Sequence, residues 1–215
     1  MFVAAAAMVA TLPGRTVGLS LITEPLLADL NITRLQYANA TFWATIIGSL
    51  FSLACGRLLD RWGVRNVLAL TILLLALATI TMGAILSPIN LFMLLTLARG
   101  FGQSSLSTAS VTAVGKWFRE RLGMALAVFS ACVAFGFALV IPLLGQLITT
   151  ESWRTCWIGI GVALVGLAAL AYFIVPAKEM QVSAEAASHE PSTRWANALQ
   201  TSAFWMFSLS TALYY

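Results

Sequence analysis

Gly56-Arg57-Leu58-Leu59-Asp60-Arg61-Trp62-Gly63-Val64-Arg65-Asn66-Val67 is the stretch on which the fold turns. It joins two long apolar runs, 37–58 and 67–86, and places four charges, Arg57, Asp60, Arg61 and Arg65, within nine residues. A charged group near the centre of a bilayer costs about 2.5 kcal/mol or more. The stretch is therefore a water-facing corner between two membrane spans, and its brevity makes them a hairpin. Gly56 is expected to let two backbones approach closely, and Gly63 to permit the sharp reversal. Asp60 is expected to accept hydrogen bonds from a neighbouring helix N-terminus. Arg61 and Arg65, four apart, are expected to share one side of a helical turn.

Working outward, the 215 residues are 60% hydrophobic and 9% charged, where about 25% charged is usual for a soluble domain. The expected fold class is an all-α membrane protein. A net charge of +4 invites a nucleic-acid reading, but the basic residues lie in short connections between apolar spans, where they set orientation. Cys55, Cys132 and Cys156 are isolated, with no C-x-x-C spacing, and read as reduced and structural. His189, the only histidine, lies in a polar linker. No metal, cofactor or catalytic residue is expected, and no G-x-S-x-G or H-E-x-x-H occurs. The opening Met1–Leu12 lacks the basic start of a secretory signal.

The first span is expected over 2–28, interrupted by Pro13-Gly14-Arg15-Thr16 near its middle. Arg15 then lies on the order of 20 Å from either end, too deep to reach a headgroup. After a polar connection over 29–36, the second span carries Tyr37, Thr41, Thr45, Ser49, Ser52 and Gly56 as a stripe of polar and small residues. That face packs against, or opens onto, something other than lipid. The third span, 67–86, is Leu, Ile and Ala almost throughout and reads as lipid-facing. A Ser87-Pro88-Ile89-Asn90 turn leads to a fourth span, reaching about 114, with Arg99, Gly100, Gly102, Gln103 and a hydroxyl-rich run. A charged corner over 116–121 precedes the fifth span, 122–148, which Pro142 is expected to bend. The sixth span is expected over 157–175. Residues 176–201 form a polar linker, and 202–215 the start of a seventh span that stops short of a ~30 Å core.

Counted with a cytoplasmic N-terminus, eight Lys and Arg fall in the loops on that side and two, Arg34 and Arg154, on the other, with Arg15 and Arg99 inside the membrane. This sets the orientation, with the N-terminus and central linker cytoplasmic. Helix character also repeats. Spans one and four each hold an intramembrane arginine, two and five carry small-residue faces, and three and six are plain apolar. Each set of three is odd, so the second is inverted relative to the first.

Gly56, Leu58, Asp60, Arg61, Gly63 and Arg65 match G-x-L-x-D-R-x-G-R-K, and the corner thus resembles the loop between the second and third helices of the major facilitator superfamily. Val64 departs from the basic residue usual at its place. The resemblance implies a 3+3 inverted repeat of six helices forming residues 1–175, one half of a facilitator-type transporter whose other six-helix half lies outside this chain. It also implies that Asp60, with Gly56, Arg61, Gly63 and Arg65, acts in gating. Arg99-Gly100-Phe101-Gly102 resembles the family's fourth-helix signature with shortened spacing, and Gly136, Pro142 and Gly145 partly resemble a fifth-helix signature. Gly14-Arg15-Thr16-Val17-Gly18, Lys116-Trp117-Phe118 and Ser152-Trp153-Arg154 are similar to the monocarboxylate and oxalate:formate-type branch.

Two readings of Arg15 stand side by side. It can bind a substrate carboxylate through paired hydrogen bonds, or cap the break at Pro13-Gly14 by bonding backbone carbonyls. Arg99 bonds hydroxyls and carbonyls of neighbouring helices, or serves substrate or proton coupling. Gln103 contacts substrate or packs helices, and Glu24 is a partly buried proton acceptor or an ordinary interfacial glutamate. The expected partners are a small organic anion, protons and the lipid bilayer of a plasma or bacterial inner membrane. The function expected is secondary transport of a monocarboxylate-like anion. Drug or sugar transport within the same superfamily, and a truncated, non-transporting interaction protein, are the alternatives.

Overall fold

The computed structural model describes residues 1–85, 87–175 and 205–206. The chain divides into two compact units, Met1–Ala177 and Lys178–Tyr215. In the second, Trp205 and Met206 are helical. The expected linker over 176–201, and the seventh span apart from those two residues, lie outside the described residues.

The first unit is all helix, with no strand among the described residues. Helix α1, Phe2–Val9, ends where Pro13 supplies no N–H to continue it. A 3₁₀ turn, Leu12–Gly14, follows, and α2, Thr16–Leu30, resumes after it. The break lies where Pro13-Gly14 predicts it. Asn31 closes α2 in the left-handed conformation, φ 55°. Thr33 and Gln36 then form a reciprocal capping box that starts α3, Arg34–Gly83. The connection expected over 29–36 thus shrinks to three residues.

Helix α3 corrects the expected hairpin. Its 50 residues would make a straight rod of roughly 75 Å, more than twice a ~30 Å hydrocarbon core. The rod is folded at one residue, Gly63, with φ 75° and ψ 164°, a region open essentially to glycine alone. The charged residues on both sides stay helical, so the corner is a joint and not a loop. Gly63 also breaks the regular turn between Arg61 and Arg65, so the i,i+4 pairing does not form. Among the described residues no other helix comes within 4 Å of where a β-carbon on Gly56 would sit, so the close backbone approach expected there is not made by them.

The remaining elements are α4, Pro88–Ala98, a π-helical stretch over Arg99–Leu106, α5, Ser107–Trp117, a 3₁₀ turn at Arg119–Arg121, α6, Leu122–Thr150, and α7, Trp153–Ile174. Helix α6 runs unbroken through Pro142. Helix α7 starts four residues before the expected Trp157, because the Ser152 hydroxyl accepts from the Arg154 N–H. Among the described residues, four helical runs are long and apolar enough to cross a membrane, Phe2–Leu30, Arg34–Gly83, Leu122–Thr150 and Trp153–Ile174.

Burial narrows the lipid-facing reading of the third span to one face, where Leu73 and Leu77 are exposed. Val67, Leu68, Ile72, Leu75, Ala76 and Met82 lie in the core, at most 1% exposed. A helix apolar all round can face protein as well as lipid, and here α7 and the π stretch cover it. The earlier half of α3 does the reverse. It packs through Ala44, Gly48, Cys55 and Leu59, while Phe42, Trp43, Leu50 and Leu53 are exposed. On its polar stripe, Thr45, Ser49 and Ser52 bond carbonyls of their own helix.

The chain's connections gather at two ends. At one, Asp60 faces Lys116, and Met1, Trp117 and Val175 line a common cavity. At the other, Asp29 accepts from Trp153 Nε1 at 2.8 Å and Arg154 Nε at 3.2 Å, and Arg154 also donates to the Gly83 and Ile85 carbonyls.

Two glycine substitutions separate the joint from its neighbour. Gly63→Ala is expected to lose about 1–3 kcal/mol, whereas Gly56→Ala, on a helix with open space, is expected to gain up to about 1 kcal/mol. Thermal unfolding of the purified variants in detergent checks both.

Candidate functional site

The site forms where two interrupted helices cross. The Pro13 break leaves Arg15 extended, φ −91° and ψ 155°, as the residue that opens α2. The π stretch begins at Arg99, and such widened turns are frequent at functional sites. The two interruptions touch backbone to backbone. A β-carbon on Gly14 would collide with the Ala98 carbonyl oxygen, and one on Gly102 would lie 3.1 Å from the Gly14 α-carbon. On the other side of the π stretch, a β-carbon on Gly48 would lie 3.0 Å from the Gly100 nitrogen. Small residues at these points let backbones approach, which is how helices pack tightly without a water-driven term.

From this crossing each arginine reaches the other's helix. Arg15 Nη2 donates to Ser107 Oγ at 3.3 Å, and Arg99 Nη1 donates to Thr16 Oγ1 at 3.0 Å. Arg15 Nε also donates to Thr11 Oγ1 at 2.7 Å, a hydroxyl freed to accept because its own proton goes to the Met8 carbonyl at 2.6 Å. The Arg15 guanidinium stands 5.3 Å from the centre of the Phe137 ring. Its side chain bonds hydroxyls and the Met8 sulfur rather than backbone carbonyls.

Arg99 is 4% exposed. Besides Thr16 it meets Gln103 Oε1 at 2.5 Å, while its buried Nε has no acceptor among the described residues. The ion pairs found among those residues, Glu24–Arg34, Asp60–Lys116 and Asp29–Arg154, all lie elsewhere. Two guanidiniums thus share one crossing with hydroxyls, an amide and an aromatic ring as partners and no carboxylate among the described residues. Such a site is electrostatically set for an anion, because a carboxylate takes paired hydrogen bonds from a guanidinium.

The other anticipated residues fall outside this crossing. Asp60 lies 4.0 Å from Lys116 Nζ, with its side chain 83% exposed, so its partner is a lysine near the end of α5 and not a helix N-terminus. Arg61 is exposed, and Arg65 stacks on Tyr172 with 4.1 Å from guanidinium carbon to ring centre. Glu24 is an exposed partner of Arg34 at 2.9 Å, which removes the partial burial expected of it. Pro142 sits in the exposed part of α6. Thr11, Thr16, Ser107 and Phe137 belong to the crossing but were not singled out by the pattern of residues. Thr11, one turn before Arg15, is the signal available for the first of them, and nothing local marks Phe137.

The crossing separates packing from charge in a measurable way. Gly14→Ala is expected to lose about 1–3 kcal/mol through overpacking. Arg99→Met, which removes a buried charge lacking a carboxylate partner among the described residues, is expected to leave the melting temperature unchanged or higher. Thermal unfolding of the two variants side by side tests this.

Known proteins carry the same arrangement of sequence. The pattern of the Major Facilitator Superfamily matches residues 3–215. Over 137 residues, 58% of this chain and 30% of the relative, the chain is 33% identical to the probable L-galactonate transporter of Escherichia coli (strain K12). Over 148 residues, 66% of this chain and 32% of the relative, it is 28% identical to the probable galactarate/D-glucarate transporter GudP of Bacillus subtilis (strain 168). The chain spans about a third of the length of these curated relatives. The family pattern covers both broken helices, the Gly63 joint and the helices packed around them, and the chain belongs to the Major Facilitator Superfamily, as an integral membrane protein.

Proposed function

We propose that the chain is one six-helix half of a secondary transporter that binds a hydroxylated organic acid at the crossing of its broken helices and moves it by alternating access. The observation that carries this reading is the exchange of Arg15 and Arg99 across Gly14 and Gly102. The substrate's carboxylate lies against these guanidiniums, with the N-terminus of α2 adding the positive end of a helix dipole beside Arg15. Thr11, Thr16, Gln103 and Ser107 are the partners for its hydroxyls. The names of the two relatives, which specify galactonate and galactarate or glucarate, turn the expected simple monocarboxylate into a sugar acid. A neutral sugar has no group for two cations.

The six crossings, arranged as three and an inverted three, belong to the same reading. The gathering of Asp60, Lys116, Met1 and Val175 at one end, and of Asp29, Ile85 and Arg154 at the other, supports them. The end with Gly63 faces the cytoplasm, following the eight-to-two balance of loop cations. There Asp60 latches against a second six-helix half. Pro142, which takes one backbone donor from α6, is where that helix flexes. Protons or a counter-transported anion supply the driving gradient.

Isothermal titration of the purified chain with galactonate, glucarate, lactate and glucose tests the site, and uptake of labelled acid into vesicles tests transport. Sugar acids are expected to bind most tightly and glucose not at all. Arg15→Gln and Arg99→Gln are each expected to weaken galactonate binding by about tenfold or more, as for a lost charged hydrogen bond. Unchanged affinity in both variants, or equal binding of glucose, overturns the reading.

A further inference from the structure

The second half of α3 and helix α7 run antiparallel and pack against each other. Near Gly83 they are zipped. A β-carbon on Gly83 would lie 2.7 Å from Ile158 Cγ1, and one on Gly161 would press on Ile80 and lie 3.0 Å from the Ala76 carbonyl oxygen. Toward Gly63 the glycine contacts stop, and a groove of about 600 Å³ lies along the outer side of the pair. Leu70, Leu73 and Val165 form its apolar floor, with Trp62, Tyr172 and Phe173 at its mouth. From Asn66 to Leu73 its wall runs ~10 Å, and from Val165 to Phe173 ~12 Å, so it lies within one leaflet of a ~30 Å core.

A cation, Arg65, stands beside the mouth. The Arg65 guanidinium is held over the Tyr172 ring, and its Nε has no acceptor among the described residues. Arg61 is exposed one residue before Trp62. Neither has a carboxylate partner among the described residues, because Asp60, between Arg57 and Arg61, faces Lys116. Phe173 is 80% exposed and Trp62 50% exposed, placing aromatic rings where they mark the membrane–water boundary.

We infer that this groove holds an acyl chain of an anionic phospholipid whose phosphate rests on Arg65 and Arg61. The apolar floor offers nothing to a soluble anion, the cation beside the mouth selects a negative headgroup, and basic pockets between helices on the cytoplasmic side recognise such lipids. The assignment is independent of what the protein transports, since it uses neither Arg15 nor Arg99.

Native mass spectrometry of the purified chain with equal amounts of phosphatidylglycerol and phosphatidylcholine of the same acyl composition tests it, with inorganic phosphate alone as a third arm. Phosphatidylglycerol is expected to be retained about fivefold or more over phosphatidylcholine. Arg65→Gln and Arg61→Gln each reduce that preference, and Leu70→Trp, which fills the floor, reduces retention of both lipids. Arg61→Gln removes no ring contact and carries the test even where Arg65→Gln fails to fold. Equal retention of the two lipids by the native chain overturns the assignment. So does a preference untouched by the arginine variants, retention untouched by Leu70→Trp, or thermal stabilisation by inorganic phosphate equal to that by the lipid.

Discussion

The contact of Gly14 with Gly102 is the constraint from which the rest of the first unit follows. Two helices, each interrupted at mid-length, meet at their interruptions with no side chain between them. The close approach brings Ser107 within reach of Arg15 and Thr16 within reach of Arg99. An unbroken α-helix would have all its backbone donors satisfied internally and would hold its neighbour off by the width of its side chains. The 3₁₀ turn before Arg15 and the π stretch after Ala98 therefore both redirect an arginine and shorten the distance it must cover. Charge at that depth, at about 2.5–3.5 kcal/mol for each group on insertion scales, is tolerated because hydroxyls and an amide surround it.

Around the crossing, the two ends of the bundle are held differently. At the Gly83 end, Asp29 takes two hydrogen bonds from α7, and Arg154 passes its remaining donors to carbonyls after α3. One network ties three elements, partly shielded from solvent, and adds to the glycine contacts of Gly83 and Gly161. At the Gly63 end the ion pair among the described residues is Asp60–Lys116, between α3 and α5, at 4.0 Å with an exposed carboxylate. Exposed pairs of that kind contribute little. The glycine contacts of α3 and α7 thus lie at one end of the pair, and the groove beside Tyr172 at the other.

The charged corner, the first-span break and the all-helical membrane class were legible from residue types. They rest on local chemistry: proline removes a donor, charge avoids hydrocarbon, and glycine allows a reversal. The corner's form was less legible, since Leu58, Leu59 and Arg61 are good helix formers and keep the helix intact to within one residue of Gly63. The third span's run of Leu and Ile did not tell its buried face from its exposed one, because lipid and protein interiors are equally apolar. On the polar stripe of the second span, Thr45, Ser49 and Ser52 bond carbonyls of their own helix and the stripe stays half-buried or exposed, while the face that packs is the one through Ala44, Gly48 and Cys55.

By itself the sequence determined that this chain lies in a membrane as helices, and where its first span breaks and its charged corner falls, because each follows from short-range chemistry and length. Only the tertiary structure decided that the two arginines exchange hydroxyl partners, that Arg99 opens a π stretch, and that Phe137 closes over Arg15. Those facts depend on residues up to 122 positions apart in the chain, and no local pattern encodes which of several equally apolar helix faces will meet.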